Sequence, residues 1–146
     1  MTVSLAASEV AGKVTGCLPE SAVEVGGEAL LVKGESLLGV AEYLKNDPEL
    51  DFDYLTSVTA VDYYDYFELV YHLVSLKHNH SLVLKARCYD RENPAVPSVV
   101  GLWQGADFQE REIYDLMGIS FTGHPNLKRI FLWQGFAGHP LRKDYL

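Results

Sequence analysis

Residues 106–145 read ADFQEREIYDLMGISFTGHPNLKRIFLWQGFAGHPLRKDY and organise the rest of the chain. The first part, from about Ala106 to Met117, has the pattern of a short charged helix. Gly118 is suited to end that helix, because glycine readily adopts the left-handed conformation found at many helix ends. The pattern therefore predicts a helix over 106–117 and a change of structure after it.

The C-terminal arm, defined here as residues 118–146, combines large apolar side chains with turn-forming residues. Gly-His-Pro occurs in it at 123–125 and again at 138–140, each time followed by a leucine and two adjacent basic residues. Glycine and proline interrupt regular structure, whereas a free surface would not expose so many apolar side chains. We expect an extended, irregular arm that packs on its own domain or on a partner. The predicted anchors are Leu127, Trp133 and Leu141, with polar contacts from Lys128, Arg129, Arg142 and Lys143.

Length and composition indicate one soluble domain. The chain has 146 residues, which is enough for one real core. It contains no run of about 18 apolar residues, so we expect no transmembrane helix, and its N-terminus lacks the basic leader and apolar core of a signal peptide. Cys17 and Cys88 lie far apart and in no CxxC pattern, which favours a cytosolic compartment with reduced thiols.

Charge is unevenly distributed along the chain. Residues 1–120 carry a net charge of −11 and residues 121–146 carry +3. An acidic body argues against general nucleic-acid binding. The basic arm could meet an acidic partner, phosphates or its own acidic body.

The pattern of residues 1–117 predicts an α+β domain with a small, mainly antiparallel sheet and packed helices. Short turns between the three longest predicted strands imply that these strands are antiparallel neighbours. Leu37, Val40, Ala41 and Leu44 form one apolar face of the second helix, with Ser36 as its cap. The predicted helices are 4–16 and 36–46, the predicted strands are 22–25, 29–33, 52–62, 66–76 and 82–89, and 91–97 is predicted to be a loop.

The predicted helix over 106–117 carries a cluster of charges around Arg111. Glu110, Glu112 and Asp115 are close in sequence, and Asp107 and Asp115 stand four residues either side of the arginine, which is the helical ion-pair spacing. A guanidinium held by several carboxylates favours a structural role. The alternative is acid–base catalysis by the paired glutamates, although no nucleophile or metal site accompanies them.

No complete metal or cofactor site is visible in the sequence. His78 and His80 share a turn but lack a nearby cysteine or carboxylate. His124 and His139 could join one site only if the arm folds back, and we expect each imidazole to bond backbone in a tight turn instead. Two cysteines cannot hold an iron–sulfur cluster alone, and no dinucleotide or phosphate-loop motif occurs. Cys88 and His72 are interpreted as core residues of their strands.

The run Glu110-Arg111-Glu112-Ile113-Tyr114-Asp115-Leu116-Met117-Gly118-Ile119 resembles the signature of the respiratory complex I 30 kDa subunit. Phe121, Gly123-His124-Pro125, Leu127 and Lys128-Arg129-Ile130 continue the resemblance, and Gly138-His139-Pro140-Leu141-Arg142-Lys143-Asp144-Tyr145 is similar to that family's C-terminal motif. Weaker agreement extends over most of residues 50–146. Two departures are Phe131, where the family usually has a smaller aliphatic residue, and an end at Leu146, where many relatives continue.

The resemblance implies a peripheral subunit of a proton-translocating NADH–quinone oxidoreductase on the cytoplasmic face of the cell membrane. Members of this family carry no redox centre; iron–sulfur clusters, flavin, NADH and quinone belong to partner subunits. The expected partners are the large quinone-site subunit and neighbouring peripheral-arm subunits. Contact with the membrane is expected only through the complex. By resemblance Trp133, Pro125 and Pro140 belong to the same interface set as the charged and histidine residues named above.

Two alternatives remain open from the sequence. One is the corresponding subunit of a related membrane-bound hydrogenase or of a complex fed by another electron donor, because the donor binds elsewhere. The other is a stand-alone acid–base enzyme that uses Glu110, Glu112 and the histidines of the arm.

Overall fold

The computed structural model describes residues 3–18, 23–125, 127, 138–139 and 142. Within these residues the chain alternates short strands and helices before a long antiparallel hairpin region and a final helix. The elements in chain order are β1 Val3–Ser4, α1 Ala7–Cys17, β2 Glu24–Gly26, β3 Ala29–Lys33, a 3-10 turn Gly34–Ser36, α2 Leu37–Asn46, β4 Tyr54–Asp62, β5 Phe67–Ser75, β6 His80–Cys88, β7 Ala95–Pro97, α3 Ala106–Met117 and β8 Ser120–Thr122.

The main sheet is built around β5, which pairs antiparallel with β4 on one side and with β6 on the other. The strand order is β2-β3-β6-β5-β4, and β1 also pairs with β6. β2 and β3 form the expected hairpin, but β3 and β1 both run parallel to β6. The predicted α+β class with a mainly antiparallel sheet is confirmed, and the parallel pairs are an addition to it.

One face of the sheet and all three helices share a single apolar core. The predicted face of α2 is confirmed, because Leu37, Val40, Ala41 and Leu44 are all fully buried. Alternation along β6 also puts every second residue, from Leu82 to Cys88, into this core. The opposite face of the sheet is partly open, so the domain has two layers.

A second, two-stranded sheet joins the loop before α3 to the segment after it. β7 pairs in parallel with β8, and Val96 and Phe121 face each other across this pair. Ile119 and Phe121 are buried in the main core. The body of the domain therefore continues through Thr122, and the predicted start of the irregular arm at residue 118 is not a boundary of the packed core.

Several local expectations are wrong. His72 is not a core residue but is exposed on the open face of the sheet, because it lies out of phase with the buried positions of β5. Ser36 makes no side-chain cap hydrogen bond, since it belongs to the 3-10 turn that leads into α2. Part of the predicted loop at 91–97 is the strand β7.

The helix over 106–117 is confirmed with the predicted bounds. Gly118 follows it in the left-handed conformation with φ of 76°, as expected for a glycine that ends a helix. Its N–H donates to the Tyr114 carbonyl at 3.0 Å, which closes the last turn. In the sequence, α3 lies between β7 and β8, the two strands of the small sheet. In the structure it packs against β4.

Candidate functional site

Glu110 lies on the inner side of α3, and its side chain is fully buried. One carboxylate oxygen accepts a hydrogen bond from the Ser98 hydroxyl at 2.6 Å, and the other accepts from the Val99 N–H at 2.9 Å. Burial raises the pKa of Glu110, although these two hydrogen bonds act in the opposite direction. The carboxylate therefore ties α3 to the turn that precedes it and does not face solvent.

Tyr71 of β5 points into the same part of the core. Among the described residues its buried hydroxyl has no hydrogen-bond partner. Burial raises the pKa of this hydroxyl well above its usual range, and the negative charge of Glu110 adds to the effect. The space between β5 and α3 thus holds two ionisable groups whose surroundings favour their neutral forms.

Three of the carboxylates predicted around Arg111 do not contact it: Glu110, Glu112 and Asp107. Glu110 is turned into the core, whereas Glu112 is exposed and has no polar partner among the described residues. Asp107 pairs with His124 instead. The prediction that these three carboxylates hold the guanidinium is therefore wrong. Glu110 and Glu112 are adjacent to Arg111 in the helix and point in other directions, and the Asp107 carboxylate is paired with His124.

His124, from the first Gly-His-Pro motif, returns to the N-terminal end of α3. Its side chain is buried, and Nε2 lies 2.9 Å from Asp107 Oδ1 and 3.3 Å from the Asp107 backbone oxygen. Pro125 beside it is exposed, while Leu127 packs partly buried against the core. The first part of the arm therefore contacts the chain's own domain.

His139, from the second Gly-His-Pro motif, returns to the C-terminal end of α3. Its Nδ1–H donates to the Asp115 carbonyl at 2.9 Å, and its ring lies 6.4 Å from the Tyr114 ring. The imidazole also packs on Gly118, where an added Cβ would come within 2.6 Å of His139 Cδ2. Gly118 is therefore required both by its backbone conformation and by this close approach.

The two motifs thus contact opposite ends of one helix. The prediction that each imidazole bonds backbone is right, but the carbonyls belong to α3 and not to the motifs' own turns. The partners Asp107 and Asp115 are eight residues apart, or about 12 Å along a helix. His124 and His139 are therefore not brought into one site.

Arg142 connects the end of the arm to the sheet. It donates through Nη2 to the Arg91 carbonyl at 2.7 Å, and its guanidinium lies over the Phe67 ring at 5.1 Å. The Arg91 guanidinium lies over the same ring at 4.6 Å and binds the buried Asp62 carboxylate through two bonds of 2.6 and 3.0 Å. Sequence reasoning missed this cation–aromatic contact, because its members are far apart in the chain.

Six of the predicted interface residues lie outside the described residues: Lys128, Arg129, Trp133, Pro140, Leu141 and Lys143. Of the five described interface residues of the arm, four contact the domain, namely His124, Leu127, His139 and Arg142, whereas Pro125 is exposed. Ser98 caps the turn after it by accepting from the Val100 N–H at 3.2 Å. Its additional bond to Glu110 carries no signal in the sequence.

His78 and His80 both contact backbone carbonyl groups. Their Nε2 atoms lie 2.7 Å from the carbonyl oxygens of Pro48 and Leu50, respectively. Within the described part of the chain, no group of three or more His, Cys, Asp or Glu side chains is arranged to hold a metal ion. No helix in these residues is long and apolar enough to cross a membrane.

The fold is shared with one chain of a solved respiratory membrane complex. The chain superposes on a chain in the structure of the archaeal membrane-bound sulfane sulfur reductase, described as a respiratory membrane complex, with a TM-score of 0.75. The alignment covers 94% of this chain and 84% of the other at 23% sequence identity. At this identity the likeness concerns the fold alone.

Sequence comparison identifies the particular family. Residues 30–146 match the family described as the respiratory-chain NADH dehydrogenase 30 kDa subunit, and the chain belongs to that family. It is 46% identical to the C subunit of NADH-quinone oxidoreductase from Roseiflexus sp. strain RS-1 over 119 residues, covering 80% of this chain and 68% of that protein. It is 43% identical to the same subunit from Azorhizobium caulinodans over 144 residues, covering 94% and 67%. The chain thus spans about two thirds of the length of these relatives.

Proposed function

We propose that this chain is a peripheral-arm subunit of a proton-translocating NADH–quinone oxidoreductase. In that complex it would hold the large quinone-site subunit in place, together with neighbouring peripheral subunits. Membership of the 30 kDa subunit family carries the proposal, and the relatives named above are C subunits of NADH-quinone oxidoreductase. We place it on the cytoplasmic face of the membrane, bound through the complex.

The described contacts support a structural role for α3, the helix that carries the family signature. Glu110 is buried and accepts hydrogen bonds from a hydroxyl and a backbone N–H. The acid–base alternative needs Glu110 and Glu112 to act on one substrate. One carboxylate is fully buried and the other is exposed, so this geometry does not favour that alternative.

The redox groups of the complex are expected on its other subunits. We therefore expect the isolated chain to be colourless, with flavin, iron–sulfur clusters, NADH and quinone bound elsewhere. An absorbance spectrum and metal analysis of the purified chain test this point. A stoichiometric flavin, haem or cluster signal would contradict the scaffold proposal.

The central experiment is purification of the tagged chain from native membranes in mild detergent. The expected preparation contains the quinone-site subunit in fixed proportion, identified by mass spectrometry, and oxidises NADH with quinone. A chain that purifies alone from membranes that contain the assembled complex would overturn the proposal.

A second candidate is the equivalent subunit of a complex that uses another electron donor. The fold likeness to a chain of a sulfane sulfur reductase favours this candidate, since it shows that one fold serves different respiratory complexes. The same purified preparation distinguishes the two. NADH oxidation supports the first, and activity only with hydrogen or another reductant supports the second.

A further inference from the structure

The outer edge of β4 and the neighbouring helix α3 form a groove that none of the contacts above uses. Its volume is about 350 Å³, and its apolar walls come from Val58, Ala60, Ile113, Leu116 and Met117. β4 is the last strand in the sheet order. No other strand in the described part of the chain pairs with this edge, so among those residues the groove lies beside unpaired backbone.

Two hydrogen bonds establish which way the β4 backbone points. The Val58 N–H donates away from the sheet, to Gln109 Oε1 of α3 at 2.7 Å. The Tyr63 N–H donates across the hairpin, to the Tyr66 carbonyl at 3.0 Å. N–H directions alternate along a strand. In this part of β4 the backbone N–H groups of even-numbered residues therefore point away from the sheet, and those of odd-numbered residues point toward β5.

The backbone N–H of Ala60 therefore points to the outer edge of the sheet. Ala60 stands opposite Leu69 in a pair that exchanges no hydrogen bonds, so its N–H and its C=O both point to the edge. Gln109 satisfies the outward N–H two residues earlier, but no described group does so for Ala60. An exposed edge with unpaired backbone groups is a template for another strand.

Glu112 gives the groove a charged rim. It lines the groove, is exposed and has no polar partner in the described residues. The body of the chain, residues 1–120, carries a net charge of −11. A lysine or arginine on an incoming segment would meet this carboxylate, whereas a second acidic surface would be repelled.

We propose that the β4 edge at Ala60 receives an extended strand from another subunit of the complex. The strand would exchange backbone hydrogen bonds with Ala60, place apolar side chains in the groove and set a basic residue against Glu112. This rests on the proposed function, because it requires the chain to be one subunit of an assembly. A second copy of this chain fits less well, since it would bring its own acidic rim to the same place.

Ala60→Pro tests the backbone contact directly. Proline removes the outward N–H, which the β4–β5 ladder does not use, and edge strands tolerate proline for that reason. We expect the isolated variant to keep the wild-type circular dichroism, while the amount recovered in the complex from native membranes falls at least tenfold. Equal recovery of variant and wild type would overturn the inference and leave the proposed function intact. Failure of the wild type to co-purify would instead overturn the proposed function.

Charge reversal tests the rim with a matched control. Glu112→Lys should lower recovery of the complex severalfold. Glu42→Lys makes the same change at another exposed helical glutamate without a described polar partner, and should leave recovery unchanged. An equal loss from both variants would show a general effect of charge and contradict the proposed rim contact.

Hydrogen exchange keeps the test valid if Ala60→Pro does not fold. In the wild-type complex, the peptide containing Ala60 should exchange at least tenfold more slowly than in the isolated chain. An unchanged rate would rule out a bound strand at this edge. A dimer of the isolated wild-type chain that protects the same peptide in sedimentation and exchange measurements would overturn the assignment to another subunit.

Discussion

Gly118 shows how one residue can be required for two separate reasons. Its positive φ of 76° favours glycine over any residue with a side chain. His139 also lies where a Cβ would be, at 2.6 Å. Asparagine, which tolerates the left-handed conformation better than other residues, would meet the first requirement and still clash with the imidazole.

Gly118→Ala should therefore lower the free energy of unfolding by about 2 kcal/mol or more. We expect a fall in melting temperature of about 5 °C or more, measured by thermal unfolding. Gly39→Ala is the matched control, because Gly39 lies inside α2 with nothing within 4 Å of an added Cβ. It should stabilise the chain by about 0.5–1 kcal/mol. Equal effects of the two substitutions would contradict the packing of His139 on Gly118.

The Glu110 carboxyl makes stability depend on pH in a defined direction. Its pKa is ordinary in the unfolded chain and raised in the folded chain, first because of burial. Between these two values the folded chain binds more protons than the unfolded chain. The free energy of unfolding therefore falls as the pH rises through this window.

Glu110→Gln should remove that dependence, since glutamine cannot ionise yet can still accept from Val99 and donate to Ser98 Oγ. We expect the stability of the wild type relative to the variant to decrease as the pH rises from about 4.3, then to level off above the raised value. Urea unfolding at a series of pH values measures this. A stability difference between wild type and variant that stays constant with pH would show that the pKa of Glu110 is not raised in the folded chain. Glu112→Gln, at an exposed position, is the control and should show no such trend.

At the scale of elements, α3 is held at both ends by the arm. His124 contacts Asp107 near its start and His139 contacts Asp115 near its end. These contacts share no partner. Each should therefore contribute independently to stability, as expected for sites separated by more than about 7–10 Å.

His124→Ala and His139→Ala should each cost about 1 kcal/mol, and the double variant should cost about their sum. Chemical unfolding of the four proteins gives the coupling energy. His72→Ala is the control, because His72 is exposed on the open face of the sheet, and it should change little. A coupling energy well above about 0.5 kcal/mol would mean that the two motifs dock as one unit.

The longer elements could be predicted from the sequence because periodicity and stop residues identify them. Helix α3 has its predicted bounds, since a charged pattern ends at a glycine suited to the left-handed conformation. Strands β7 and β8 have three residues each, too few for a periodic pattern. The parallel pairing of β3 with β6 depends on the path of the chain and leaves no local signal.

The site was predictable only in part, because contacts between residues far apart in the chain leave no local signal in the sequence. The bounds of α3 were predicted correctly, but the partners of its charged residues were not. Glu110 binds Ser98 twelve residues earlier, and Asp62 binds Arg91 across 29 residues. Helical spacing describes contacts within one element, whereas burial in the folded chain decides which carboxylate turns inward.

At the scale of the molecule, Arg111→Ala tests whether α3 serves assembly or chemistry. Arg111 is half-buried and has polar contacts, and leaving their groups unsatisfied costs about 1–3 kcal/mol. We expect less assembled complex on native gels and a normal turnover per assembled complex. Arg111→Lys keeps the charge and should assemble better. Normal assembly with lost turnover would instead favour a catalytic role.

The pairing of β1 and β3 with β6 sets an order of events during synthesis. β3 ends at Lys33, but its partner strand begins at His80, about 50 residues later. At about 5–20 residues per second, a ribosome needs several seconds to make that partner. Until then β3 lacks its neighbouring strand, and only α1 and α2 can pack against Leu30 and Val32, which are core residues of the finished domain. The edge of β3 that pairs with β6 therefore stays unpaired until β6 has been made, and a nascent chain stalled before Cys88 would present that edge to chaperones.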